Sequence, residues 1–343
     1  MISARKVALL LAGSMLAAGV GLVPQAASGA GNPTHYFDLS KAPKPLFTGK
    51  QILSGLEDFV SQFPLRQQYM PNNDAAAKFL GDEAKKYGYH VRTLHYNTGT
   101  PARDTKVIEA IKPGTVEPNR YIAFVAHYDI VPGIGGATIQ GAYDDGSGTN
   151  MLRYFMRQFA QIKTRHSIAI IWFDGEEWGL YGSHAYVADV QKQGMQFDAV
   201  LGFDMNGIAY PAPYCLCIYH GPSAEDAAKA VPLLDYVNYD FLKFPKSDGE
   251  PGTTERYPFG TKSGVCNCGP NIRNSDEESF AAAKYFTLRW AGMRQANDYP
   301  GYHLPWDTIP LMEQVAGSRE NLEKGTQNTF DSAYYTAVAL DHM

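Results

Sequence analysis

The chain has 343 residues, with 30 lysines and arginines against 35 aspartates and glutamates, a formal net charge of −5. An acidic surface makes nucleic acid a poor partner, because phosphate contacts need clustered cations. The length suits one large domain, and past the N-terminal stretch no apolar run approaches the roughly 20 residues of a membrane span.

At the N-terminus, Arg5 and Lys6 precede an apolar run from Val7 to Val23 that ends in small residues at Ala26, Ser28 and Ala30. That pattern predicts a secretory signal peptide over residues 1–30. The run is short for an uncleaved span and contains Gly13, Ser14, Gly19 and Gly21. Cleavage removes Arg5 and Lys6 and no acid, which takes the net charge from −5 to −7. The expected product is exported to a periplasm or the medium, with no membrane attachment. Residues 31–46 are rich in proline and polar groups, so an extended arm is expected before a domain over residues 47–343 that starts near Phe47.

Apolar residues at Ile52, Leu53, Leu56, Phe59 and Val60 have helical spacing, and a second helix is predicted from Asn73 or Asp74 to just before Gly88. Alternation in "HVRTLHYN" and "TKVIEAI" then predicts two antiparallel strands. From residue 121 short apolar runs, "YIAFVAH", "SIAIIWF" and "AVLGFD", alternate with helical stretches at about 147–163 and 180–193. Strands buried on both faces and joined by helices predict an α/β fold with a mixed, mainly parallel central sheet flanked by helices.

The stretch 209–275, dense in Pro, Gly, Tyr and Cys, reads as a long loop-like insertion near the site. It holds two cysteine pairs, Cys215/Cys217 and Cys266/Cys268. In an exported protein these predict disulfides that join one pair to the other, since a ring closed within C-x-C is strained. A four-cysteine zinc site is the alternative.

Polar motifs fall where the predicted parallel strands end, the edge at which open α/β sheets bind ligands. They are "AHYDI" with His127 and Asp129, "GAYDDGSG" with Asp144 and Asp145, "FDGEEWGLYGS" with Glu176 and Glu177, and "GFDMNG" with Asp204. "GYHLPWDT", with Tyr302, His303 and Asp307, follows late in the chain. A single strand-end Asp or His is commonly a helix cap or a satisfied polar group. Two histidines and several carboxylates at one edge instead supply what a pair of divalent cations needs, and imidazole with carboxylate suits zinc. No G-x-S-x-G elbow and no H-E-x-x-H helix occurs.

In order and spacing, these motifs resemble the co-catalytic zinc aminopeptidases of clan MH, the bacterial leucyl-aminopeptidase type, from about "QFPLRQQY" onward. The resemblance implies a zinc-peptidase-like α/β/α sandwich holding two Zn2+ per chain. Asp144 would bridge the metals, His127 and Asp204 would complete one site, and Glu177 and His303 the other. Glu176 falls on the general base, which takes a proton from the attacking water and passes it to the leaving amine. Tyr302 falls where a tyrosine donates to the oxyanion. The resemblance also implies a cis peptide between Asp144 and Asp145, and peptide substrates with a free N-terminus.

Asp129 is spaced to accept from the free nitrogen of the His127 ring, and Asp307 either does the same for His303 or is a turn residue beside Pro305. One departure stands out: where relatives carry S-D-H-x-P-F this chain has "SDEESF", with Glu277 in the place of the histidine. Asp276, Glu277 and Glu278 then either attract a substrate amine or form a solvated turn. Zinc-dependent glutaminyl cyclases share the expected fold and much of this edge chemistry, and an inactive peptide-binding protein of the same fold is the other alternative.

Overall fold

The computed structural model describes residues 36–99, 103–133, 139–210, 215–245, 265–270, 275–292 and 299–343. The expected signal peptide and arm residues 31–35 lie outside them. Among the described residues one sheet organises the chain. Its strands are β1 (His90–Thr98), β2 (Arg103–Lys112), β3 (Glu117–His127), β4 (His166–Phe173), β5 (Gln196–Phe203), β6 (Leu216–His220), β7 (Val265–Pro270) and β8 (Thr287–Ala291). Their spatial order is β1-β2-β4-β3-β5-β8-β6-β7.

The β4-β3-β5-β8 block is parallel, while β1, β2 and β4 pair antiparallel. Every residue of β4 is buried, as a strand covered on both faces requires. On one face lie α1 (Gly49–Gln62), α2 (Pro71–Lys86), α3 (Ser147–Ala160) and α8 (Arg319–Asp341), which share a core with Phe124, Ile170 and Leu201. On the other lie α4 (Tyr181–Gln193) and α6 (Glu277–Ala282), whose Tyr186, Val190 and Phe280 meet Val125, Ile171 and Val200. Each such side chain contributes on the order of 1.5–3 kcal/mol by leaving water.

Local chemistry sets the helix ends. Thr48 and Gln51 form a capping box at the start of α1, and the apolar positions read from the sequence are its buried stripe. Helix α2 starts at Pro71, ahead of the expected Asn73, because a proline at the first helical position has its φ preset and needs no hydrogen-bond acceptor. Inside the α2–α3 contact Arg153 Nε donates to Glu83 Oε2 at 2.7 Å, and Arg157 donates to the same carboxylate. Burial of that acid is offset by two guanidinium partners.

The arm packs against the body. Leu39 and Ala42 are buried, and Tyr334 donates its hydroxyl to Pro43 O at 2.7 Å. The stretch expected as a loop-like insertion contributes regular structure: β6, β7, α5 (Ala224–Leu234) and a π-turn over Asp235–Phe241. Its residues 211–214, 246–264 and 271–274 lie outside the described residues. Disulfides Cys215–Cys266 and Cys217–Cys268 tie β6 to β7, with Cα–Cα separations of 6.0 and 5.7 Å. All four sulfurs are in bridges that join one pair to the other, the disulfide arrangement expected from the sequence.

Candidate metal centre at the carboxyl edge of the sheet

Strand order reverses at β3, whose neighbours are β4 and β5, and such a switch point is where open α/β sheets bind ligands. His127 is the last residue of β3, Asp174 follows β4 directly, and Asp204 follows β5 directly. Helix α4 does not begin until Tyr181, so Glu176 and Glu177 sit in a turn ahead of it and do not cap it. That turn is closed by Gly179 and Leu180 N–H groups donating to Glu176 O.

The loop between β3 and α3 brings in Asp144, and the Asp144–Asp145 peptide is cis. His127 Nε2 lies 3.4 Å from Asp144 Oδ1, and 3.9 Å from both Asp204 Oδ1 and Glu176 Oε2. From the other side His303 Nε2 lies 3.2 Å from Asp144 Oδ2 and 3.1 Å from Glu177 Oε2. Asp144 therefore lies between the two histidines, with Asp204 and Glu176 near the His127 ring and Glu177 beside the His303 ring.

The surrounding groups fix these side chains. Asp129 Oδ1 is 3.4 Å from His127 Nδ1, which forms no hydrogen bond among the described residues, while its carboxylate accepts the N–H groups of Glu176 and Glu177 at 3.2 and 3.4 Å. One carboxylate thus holds the backbone of both glutamates. Asp307 behaves differently from either expectation. Its oxygens accept the N–H groups of Tyr143 and Asp144 at 2.9 and 3.0 Å, and the Tyr299 hydroxyl at 3.0 Å, so it orients the Asp144 loop and not the His303 ring. The Tyr302 ring stacks on His303 with centroids 3.7 Å apart. Burial, and the charges of Asp144 and Glu177, hold its hydroxyl protonated.

Two groups, Arg66 and Arg289, escaped the sequence reading, and Asp145 was read there without a contact of its own. Asp145 Oδ1 accepts Gly148 N–H at 2.7 Å and Met205 N–H at 3.3 Å, which ties the loop to the end of β5. A Cβ at Gly148 would lie 2.4 Å from both Asp145 Oδ2 and Phe203 O, so only glycine permits this approach. Arg66, in "QFPLRQQY", is buried and donates to Gln140 O and Gly141 O at 2.6 Å each. Arg289, a charged residue inside the apolar strand β8, lies near Glu277 and Asp204. Its placement in "TLRWA" was the available signal. Asp276 and Glu277 are buried, which corrects the solvated-turn alternative for both.

The electrostatics are those of crowded acid. Burial, and then the charges of Asp204 and Glu177, push the Glu176 carboxyl well above the usual carboxylate range. Burial and Asp144 raise Glu177 to about 7, and burial with Asp129 and Glu277 raises Asp276 to about 8. Burial works against a charged His303, but Asp144 and Glu177 prevail and push it up to about 10. The donor set fits zinc: His127, Asp144 and Glu177, and again His127, Asp145 and Asp204, each offer three ligand atoms within 4.8 Å of one another. Among the described residues, Glu177 Oε1 and Asp204 Oδ1 are buried and have no hydrogen-bond partner, as oxygens meant for a cation would be.

The sequence pattern of peptidase family M28 matches residues 106–315, well over half of the chain. The chain belongs to peptidase family M28. Among curated relatives, the aminopeptidase YwaD of Bacillus subtilis is 29% identical over 249 residues, which cover 72% of this chain and 47% of that protein. The M28 chain spans half or less of the length of the first curated relatives it matches. Its fold is that of the Legionella pneumophila LapA aminopeptidase, with a TM-score of 0.64, 21% identity, and coverage of 86% of this chain and 71% of LapA. It is also the fold of a Porphyromonas gingivalis glutaminyl cyclase, with a TM-score of 0.63, 16% identity, and coverage of 87% and 99%.

Proposed function

We propose that this M28 chain is an exported metallo-aminopeptidase that holds two zinc ions and hydrolyses the N-terminal peptide bond of peptides. Asp144 would lie between the ions, with His127 and Asp204 on one side and Glu177 and His303 on the other. The observation that carries the reading is that His127 and His303 each lie against one oxygen of Asp144, with Asp204 beside the first ring and Glu177 beside the second. When bound, the zinc ions supply Lewis acidity, which makes a water more acidic and a carbonyl more electrophilic.

Chain residues do the rest. Glu176 is buried beside the cluster with a carboxyl of raised proton affinity, which suits a group that accepts a proton from the attacking water and returns it to the leaving amine. The Tyr302 hydroxyl, held protonated, donates to the carbonyl oxygen as negative charge grows there. Asp129 keeps the backbone of Glu176 and Glu177 in place. The carboxylates around the site favour a substrate's free ammonium group, which confines cleavage to chain ends. The disulfides and the expected signal peptide agree with export to an oxidising compartment.

A fluorogenic panel of free and N-acetylated aminoacyl substrates tests this. We expect hydrolysis of free substrates only, lost on chelation and restored by zinc. Cyclisation of N-terminal glutamine peptides with release of ammonia, at one zinc per chain, would instead assign a glutaminyl cyclase. Turnover of neither class by zinc-loaded protein would leave a peptide-binding role.

A further inference from the structure

The departure at Glu277 has a structural counterpart. Glu277 opens α6, and its Oε1 lies 3.6 Å from Nη1 of Arg289 on β8, with both side chains buried. Gly202 makes room for the pair. In the parallel β5–β8 pairing it stands opposite Arg289, and a Cβ there would lie 2.8 Å from Glu277 Oε2. Any side chain at 202 would displace the carboxylate. Asp204 comes two residues later, the next position on the same face by strand alternation. Across the gap, the Tyr219 ring lies 5.4 Å from Arg289 Cζ. Burial opposes the Arg289 charge, but Glu277 and then Asp204 outweigh it, so the guanidinium stays charged.

A fixed cation behind one ligand repels a dication held by that ligand, and an anion beside the fixed cation offsets the repulsion. We propose that Arg289 and Glu277 tune the ion on the His127/Asp204 side: Arg289 weakens the hold on that ion, while Glu277 limits the weakening by neutralising Arg289. The inference rests on the two-metal reading above. It makes the two ions unequal, with one more readily lost.

The test is zinc content of the full chain, measured against graded free zinc in a chelator buffer, with the absorption spectrum of the cobalt-substituted protein as a second readout. Glu277→Gln should release one ion at about 10- to 100-fold higher free zinc than wild type, with the other ion unchanged. Adding Arg289→Met to Glu277→Gln should return the affinity to near wild type, a reversal that mere loosening of the fold does not produce. If the double variant fails to fold, Glu277→Asp decides, because it keeps the charge and should keep wild-type affinity. Equal retention of both ions in Glu277→Gln, or equal loss of both, overturns the inference alone. A wild-type chain that retains no zinc overturns the metal reading and this inference with it.

Discussion

Glu176 and Glu177 are chemically alike and adjacent, yet the turn that carries them points one towards the His127 ring and the other towards His303. That division predicts opposite phenotypes. Glu176→Gln should cost about 100- to 10,000-fold in kcat while zinc content stays at the wild-type level, a pairing read from turnover and metal analysis on one sample. Asp144→Ala should instead release zinc from both sides. The residues that announce this chemistry were legible because they sit in short polar motifs directly after apolar runs. Asp307 was legible as a site residue but not in its role: next to Pro305 it reads as a local turn, whereas its partner Tyr143 is 164 positions away. Arg289 was overlooked because no motif surrounds it, and only the register of β8 against β5 gives it a neighbour to act on.

Elements were readable to the extent that their burial is periodic. The parallel strands and the α1 stripe follow from apolar spacing alone, whereas β6 and β7 are short, sit among prolines and glycines, and owe their place to pairing with each other and to β8. Helix α8 shows what such long-range burial does to a single group. Asp331, on α8, accepts from Gln327 Nε2 at 2.8 Å, and burial pushes its carboxyl up to about 6. The folded chain therefore binds this proton more tightly than the unfolded chain between about pH 4 and pH 6, so stability falls as pH rises through that window. Asp331→Asn should remove the slope. We expect it to be more stable than wild type by about 1–3 kcal/mol at pH 7 and equal to it near pH 4, measured by urea denaturation at both values.

At the scale of the whole molecule, the two disulfides constrain nearly the same loop, since each closes a sequence separation of 51 residues and their ends are two residues apart. Once one is formed the other removes little further freedom from the unfolded chain. Replacing either pair by serine should therefore cost well under about 2 kcal/mol, while replacing both should cost about 4 kcal/mol, the loop-closure value for that length. Equal, additive losses on chemical denaturation would show that the bridges act through local packing instead.

The clamp of Asp307 on the backbone of Tyr143 and Asp144 makes the candidate site depend on a segment far along the chain. A nascent polypeptide that has emerged just past β5 carries His127, Glu177 and Asp204 but neither His303 nor the carboxylate that holds the backbone of Tyr143 and Asp144. Such a precursor lacks part of the candidate site, so under the function proposed above it would stay inactive until the residues beyond β5 have folded onto the rest.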